Sequence, residues 1–179
     1  MRNNKIIIVV LFLSLIVLAC NKYKKAIEFD IPYSADFTIT TGGMTLNAPI
    51  DFTTPDINTD ISSRLGEHKT DIQFIDEIKY TEFKIMVKAP VGQNLDFLKS
   101  IDLYISASGV NEKLVASKNP VPLGDSTIVM ELPDVNIKNY ITKEKFKIRA
   151  LIVPDATLSQ TVTLTMAQNV HVKAKQFFK

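Results

Sequence analysis

The sequence is poor in cysteine, histidine and tryptophan, on which many disulfide-stabilised or ligand-binding domains depend. Among its 179 residues there is one cysteine, Cys20, there are only two histidines, and there is no tryptophan. A lone thiol cannot close a disulfide within the chain, so the folded part must be stable on its hydrophobic core alone. The lack of tryptophan removes the largest stacking surface for a sugar, and it leaves Tyr33, Tyr80 and Tyr104 as the aromatic candidates.

The side chains of a catalytic site are also missing. Nucleophilic hydrolysis needs a nucleophile, a base and an orienting acid, but no serine stands in a Gly-x-Ser-x-Gly setting. His68 lies in a polar stretch, and His171 alternates with two valines in a candidate strand. Acidic residues crowd one region together with a histidine, but their spacing matches no EF-hand or zinc motif: Asp51, Asp56, Asp60, His68 and Asp71. We therefore expect no enzyme activity, no metal site and no cofactor.

The N-terminal twenty residues carry the strongest pattern in the chain. Arg2 and Lys5 precede an unbroken apolar run over residues 6–13, and a second apolar stretch ends at Ala19 and Cys20. A membrane-spanning helix needs about 20 apolar residues, and this segment offers fewer. Its length is typical of the apolar region of a secretory signal peptide.

The residues Val17-Leu18-Ala19-Cys20 resemble the lipobox of bacterial lipoproteins. The resemblance implies cleavage between Ala19 and Cys20, followed by acylation of the Cys20 thiol. Each buried methylene of an acyl chain contributes about 0.8 kcal/mol, so a triacylated cysteine would hold the protein on a membrane essentially permanently. An uncleaved N-terminal anchor is the alternative interpretation. On the lipoprotein interpretation, residues 1–19 are the signal peptide and residues 20–25 are an acylated tether.

Removal of the signal peptide changes the charge balance. The full chain has a formal net charge of +2, but loss of Arg2 and Lys5 leaves 19 basic and 19 acidic residues. A neutral chain without a basic stripe argues against nucleic acid as a partner. The remaining local feature is a membrane-proximal basic group that can face anionic lipid headgroups: Lys22, Lys24 and Lys25.

Residues 26–179 are predicted to form a single β domain. Many short segments alternate apolar and polar residues with a period of two, as in 27–31, 82–88 and 101–107, and Gly or Pro separates several of them. Eight or nine such strands predict an all-β, two-sheet antiparallel β-sandwich, immunoglobulin-like in style. Short helices are predicted in the connections, over 54–66 and 134–141, with a single turn at 94–98. The pattern of residues 68–80 favours neither period.

Two side chains on the polar sides of predicted strands are candidates for a binding surface. Tyr104 lies opposite Ile101, Leu103 and Ile105, so it is an exposed platform, part of a contact surface or a half-buried strand tyrosine. Met86 alternates with apolar neighbours and could belong to an adaptable interaction patch.

The whole sequence resembles the small single-domain outer-membrane lipoproteins of Bacteroidota. The resemblance rests on residues 1–20 and on the Thr-rich β body. It implies a non-enzymatic accessory or scaffold subunit that binds an outer-membrane or other envelope protein; a glycan- or lipid-binding module is the alternative. Asn21 follows the cysteine, so the aspartate of the inner-membrane retention signal is missing. Basic residues stand where the surface-export signal is typically acidic, which favours the periplasmic face over exposure at the cell surface.

Overall fold

The computed structural model describes residues 25–40 and 46–176. Cys20, its predicted cleavage site and two lysines of the basic group, Lys22 and Lys24, lie outside these residues. Nine strands occur in the described part: β1 (Lys25–Ile39), β2 (Ile50–Thr53), β3 (Ile57–Asn58), β4 (Ile75–Ala89), β5 (Leu98–Ala107), β6 (Val110–Lys118), β7 (Thr127–Val129), β8 (Lys145–Pro154) and β9 (Val162–Gln176). Two short helices, α1 (Ile61–Glu67) and α2 (Lys138–Ile141), and a 3₁₀ helix (Ile72–Phe74) lie in the connections.

The strands form two packed antiparallel sheets. Sheet A has the order β1-β9-β4-β7, and sheet B has the order β2-β8-β5-β6, with β3 pairing beside β2 on β8. The prediction of an all-β, two-sheet antiparallel sandwich with short helices in its connections is confirmed. Pro49 precedes the edge strand β2 directly, where a residue without a backbone N–H disrupts no ladder.

The strand order distinguishes this sandwich from the immunoglobulin arrangement. The first half of the chain pairs with the second in nested fashion, β1 with β9, β2 with β8, β4 with β7 and β5 with β6. Both β2 and β3 pair with β8, so they occupy one strand position; with these two counted as one, successive strands alternate between the sheets except at the β5–β6 hairpin. Eight strands wound in this way make a jelly roll. Alternating strands predict two sheets but do not encode which strand lies beside which, so the sequence pattern left the strand order open.

This winding sorts the connections to opposite ends of the sandwich. We call the end with the β1–β2, β4–β5, β6–β7 and β8–β9 connections the four-loop end; beyond the strands, the described residues of these connections are 40, 46–49, 90–97, 119–126 and 155–161. The opposite, terminal end carries the start of β1 and the end of β9, where Lys25 pairs with Gln176. β1 has 15 residues, so the two ends are about 50 Å apart.

The core follows from the period-two alternation. On β9 the buried side chains alternate with half-buried or exposed side chains on the outer face, all polar except Ala167. The buried set is Val162, Leu164, Met166, Gln168, Val170, Val172 and Ala174. Three strands of sheet A have 15 residues, longer than any strand of sheet B. The helices cover the remainder near the terminal end. There Ile137 donates its backbone N–H to Ile78 O at 2.8 Å, and Ile61, Leu65 and Ile141 are buried.

The predicted helix over 54–66 is wrong in its first half. Ile57 is in strand β3 and pairs with Phe146, so the helix begins only at Ile61. The Thr54 hydroxyl, at the first residue of the predicted helix, accepts a hydrogen bond from Ile148 N on β8 at 3.0 Å. Pairing with β8 buries Ile57, and this tertiary burial outweighs a weak local helix preference.

The other predicted helices fare differently. In the 134–141 segment the helix is limited to α2, and Ile137, Tyr140 and Ile141 are buried. The 94–98 segment forms no helix; it makes one turn, closed by Leu98 N and Leu95 O at 2.9 Å, before β5 begins. The unassigned stretch 68–80 contains the 3₁₀ helix and the start of β4. Neither helix in the described residues has the length and apolar character to span a bilayer.

Candidate interaction surfaces

The outer face of sheet A is polar and carries ion pairs between its strands. Lys88 on β4 contacts Asp36 on β1 at 2.5 Å, and the Thr165 hydroxyl on the intervening strand β9 donates to the same carboxylate at 2.6 Å. The hydrogen bond from Lys88, followed by that from Thr165, lowers the pKa of Asp36 below its usual value. Met86 lies on this face, half-buried, between cross-strand partners Thr127 and Thr165.

His171 belongs to the same polar face. Its Nδ1 lies 2.7 Å from Asp30 Oδ1, and its Nε2 lies 3.4 Å from Glu28 Oε2. Both ring nitrogens therefore face carboxylates on the neighbouring strand. The second histidine, His68, stacks on Phe29 with ring centroids 3.8 Å apart. Neither contact has the form of a base that activates a hydroxyl or thiol nucleophile.

The outer face of sheet B is organised around Arg149 on β8. Its guanidinium contacts Glu112 at 2.8 and 2.6 Å and also contacts Asp51 on the edge strand β2. Arg149 Cζ lies 4.4 Å from the centroid of the Tyr104 ring, within the range of a cation–π interaction. Hydrogen bonds with Glu112 and then Asp51 raise the pKa of Arg149 above its usual value.

The candidate binding residues do not form one surface. Tyr104 is half-buried on the outer face of sheet B, and Met86 is half-buried on the outer face of sheet A, so the core separates them. Lys25 is exposed at the terminal end, where the ladder between β1 and β9 also brings Lys173 and Lys175. The roles of Tyr104 and Met86 in a binding surface and of Lys25 near a membrane stay predictions.

The acidic residues considered as metal ligands point to separate partners. Asp56 lies 3.5 Å from Lys147, Asp51 contacts Arg149, and Asp71 accepts from Gln73 N at 3.4 Å. Asp60 precedes helix α1 with a φ of 48°. Within residues 25–40 and 46–176, no group of three or more His, Cys, Asp or Glu side chains is arranged to hold a metal ion.

Two of the three candidate tyrosines have hydroxyl groups that are buried. The Tyr33 hydroxyl donates to Thr59 O at 2.8 Å, and its ring packs edge-on against Phe146. The Tyr80 hydroxyl is buried without a hydrogen-bond partner among the described residues. Burial raises the pKa of both hydroxyl groups. Gln168, which pairs with Tyr33 across the ladder, is 3% exposed, and neither atom of its side-chain amide has a partner in the described part of the chain.

Sequence reasoning missed the apolar residues of the four-loop end. Val91 and Leu123 are exposed at 102% and 76%, each on a loop that contacts the other. The signal was present as a repeated Pro–apolar–Gly triplet at 90–92 and 122–124. Period-two analysis overlooks such triplets because it reads Pro and Gly only as the ends of strands.

Comparisons with known proteins found only distant structural similarities. No family model matches the chain, and no curated protein matches it either. The 60-mer BFDV capsid protein is similar in structure at 10% identity with a TM-score of 0.41, over 87% of this chain and 96% of that one. A turnip yellow mosaic virus structure is 10% identical with a TM-score of 0.31, over 87% and 85% of the two chains. At such TM-scores these similarities carry no argument about fold or function.

Proposed function

We propose that the protein is a lipid-anchored, non-enzymatic accessory or scaffold subunit of an envelope complex, held by Cys20 at the periplasmic face of the outer membrane. The lipobox-like sequence supports the anchor. The placement of the chain start supports the tethered arrangement: β1 begins at Lys25, five residues after Cys20, at one end of a long sandwich.

The length of the tether limits where the domain can be. Five extended residues reach about 17 Å, so the terminal end stays close to the membrane surface on this proposal. The exposed side chain of Lys25 and the neighbouring end of β9, with Lys173 and Lys175, would then be near lipid headgroups. The four-loop end would project about 50 Å outward when the sandwich stands upright.

The character of the two outer faces supports a binding role over catalysis. On each face, the most reactive side chains already form ion pairs and hydrogen bonds with neighbouring residues. Examples are His171 and Asp36 on sheet A and Arg149 on sheet B. The glycan-binding alternative has less support. It needs an open face of Tyr104, and a sugar would have to compete there with the Arg149 guanidinium, 4.4 Å from the ring centroid.

The anchor is tested with Cys20→Ser in the native host. The wild-type protein is expected to partition into the detergent phase and to carry acyl mass on its N-terminal peptide, and the variant to lose both. As a matched control, replacing Lys22, Lys24 and Lys25 with Gln should leave partitioning intact because the acyl chains suffice for binding. Membrane partitioning of Cys20→Ser, together with no acyl mass on the wild-type protein, would refute the anchor.

The accessory role is tested by crosslinking intact envelopes and recovering the protein by an affinity tag. A stoichiometric envelope partner is expected at native expression levels. Recovery of the protein only as a monomer, with and without crosslinker, would count against a scaffold role.

A further inference from the structure

The four-loop end exposes apolar side chains in a concentration found nowhere else on the described surface. Four large hydrophobic residues in the described ranges are exposed. Val91 (102%), Leu123 (76%) and Leu46 (48%) lie on three of the four loops, and Val129 (55%) lies on the short strand that follows one of them. Single exposed hydrophobic residues are ordinary, but their grouping at one end is the pattern of an interaction surface.

The two most exposed residues are presented by similar turns. Val91 stands between Pro90 and Gly92, and Leu123 has the same neighbours, Pro122 and Gly124. Gly92 and Gly124 have φ values of 84° and 83°, a region that residues with a Cβ rarely adopt. Proline fixes one side of each turn and glycine permits the other, so both apolar side chains project from defined backbone.

Contacts beneath the tips hold the loops in place. Leu95, Phe97 and Val121 are buried under them. Leu95 N donates to Asp125 O at 2.9 Å, and Gly124 N donates to Asp96 Oδ1 at 2.6 Å, which ties the β4–β5 loop to the β6–β7 loop. A surface that is already ordered loses less conformational entropy when it binds.

The charge of the four loops is of one sign. Residues 40, 46–49, 90–97, 119–126 and 155–161 contain no Lys, Arg or His, and their charged residues are Asp96, Asp125 and Asp155. Asp96 is engaged by Gly124, whereas the other two are exposed. The neighbouring Lys99 donates to Asn47 at 3.1 Å.

This charge pattern selects among possible occupants. Loops that insert into an anionic bilayer combine apolar tips with Lys or Arg, which these loops lack. Two copies of the chain meeting end to end would bring aspartates together, which costs association free energy. A protein with apolar pockets beside basic side chains complements both features.

We propose that the four-loop end is a docking surface for a protein partner that receives Val91 and Leu123 in apolar pockets flanked by Lys or Arg. The inference rests on the proposed accessory role and specifies the surface that performs it. Asp125 and Asp155 supply the charge complementarity. On a tethered domain this end is also the one farthest from the anchor, so a partner can reach it without displacing lipid.

The test places a photo-crosslinking amino acid at position 91 or 123 of the full-length protein in living cells. The matched controls carry the same group at Thr81, on the outer face of sheet A, and at Lys147, on the outer face of sheet B. Both controls are exposed strand positions away from the four-loop end. We expect one discrete protein adduct from positions 91 and 123 and none from the controls. Peptide mapping should place the crosslinked site of the partner beside Lys or Arg.

Substitution supplies the quantitative arm. The double variant Val91→Ser/Leu123→Ser should reduce recovery of the same partner at least about tenfold, as expected when the central apolar contacts of an interface are removed. Asp125→Asn/Asp155→Asn should reduce it less, and added salt should reduce wild-type recovery but affect this variant little. Because Val91 and Leu123 are exposed, the double variant should unfold at the same temperature as the wild type. An unchanged unfolding temperature would show that the variant folds normally.

The outcomes separate this inference from the accessory role. An adduct with phospholipid or with a second copy of the chain overturns the inference, and so does a partner site lined by acidic residues. A partner that is recovered through Thr81 or Lys147, with no adduct at 91 or 123, overturns the inference and leaves the accessory role standing. The absence of any envelope partner from all four positions and from whole-envelope crosslinking contradicts both.

Discussion

The guanidinium of Arg149 lies over the ring of Tyr104, with 4.4 Å between Cζ and the ring centroid. The two residues face each other across the β5–β8 ladder, and carboxylates from strands on either side engage the same guanidinium. One arginine therefore links four strands of sheet B. A planar group with several donors suits this position, whereas lysine provides only a compact point charge.

Arg149→Ala is expected to lower the free energy of unfolding by about 1–2 kcal/mol. The variant loses the contact with Tyr104 and the ion pairs with Glu112 and Asp51, all at a partly screened surface. Arg149→Lys should recover less than half of the loss. Urea unfolding of the full chain provides the measurement.

Lys147→Ala is the matched control for this prediction. Lys147 lies two residues before Arg149 on the same face, and its single ion pair with Asp56 spans 3.5 Å. Its loss should cost no more than about 0.5 kcal/mol. Equal effects of the two alanine variants would contradict the role assigned to Arg149. A double-mutant cycle with Tyr104→Ala should give a coupling of about 0.5–1 kcal/mol.

The strands were predictable because period-two burial is local in sequence. The segment 101–107 alternates, and in the structure Ile101, Leu103 and Ile105 are buried, with Tyr104 on the other face. The jelly-roll order was not predictable from alternation, because pairings such as Ile27 with Ala174 join residues far apart in the chain. The prediction of a helix at 54–66 was wrong for the same reason, because Ile57 pairs with Phe146, a residue far from it in the sequence.

The candidate surfaces were predictable in part. Alternation placed Tyr104 and Met86 on outer faces, but it could not assign them to different sheets. Alternation also could not show that Arg149 lies over Tyr104. The two positions are 45 residues apart in the sequence, and only the β5–β8 register brings them together. Grouping of Val91 with Leu123 likewise depends on connections that the winding of the chain brings to one end.

Two tyrosines with buried hydroxyl groups provide a comparison in which removal of the hydroxyl should have different effects. Tyr33→Phe removes a donor to Thr59 O and leaves that carbonyl without its 2.8 Å hydrogen bond, so a loss of about 1–2 kcal/mol is expected. Tyr80→Phe removes a buried hydroxyl that has no partner among the described residues, so stability should stay the same or rise.

Thermal and urea unfolding of the two Phe variants measure this difference. A substantial loss for Tyr80→Phe would show that its hydroxyl is hydrogen-bonded in solution, for example to buried water. Both rings keep their aromatic neighbours, Phe146 for Tyr33 and Phe83 for Tyr80, so packing changes little.

Gln168 is a polar side chain on the buried face of a central strand. It lies between Tyr33 on β1 and Phe83 on β4, and both polar atoms of its amide are buried without partners in the described part of the chain. Gln168→Met keeps the length of the side chain and removes the amide, so a gain of about 1–3 kcal/mol is expected.

Gln160→Met, at an exposed position before β9, is the control and should change stability by less than about 0.5 kcal/mol. Chemical denaturation of each variant gives the comparison. Destabilisation by Gln168→Met would indicate that ordered water satisfies the native amide and is lost with it.

The ion pair between Asp36 and Lys88 predicts a specific dependence of stability on pH. The hydrogen bond from Lys88, and secondarily that from Thr165, lowers the pKa of Asp36 from its ordinary value of 3.8. A carboxylate whose pKa is lower in the folded state stabilises the fold above its unfolded pKa, and this contribution is lost as the pH falls through the folded pKa. The free energy of unfolding of the wild type should therefore exceed that of Asp36→Asn near neutral pH. The difference should be no more than about 1 kcal/mol, because the ion pair is exposed and screened by solvent. The difference should shrink below pH 3.8.

Unfolding measured from neutral to acidic pH, with Asp125→Asn as an exposed loop control, tests this. A difference that stays constant down to the lowest pH would exclude the ionised Asp36–Lys88 pair as its source.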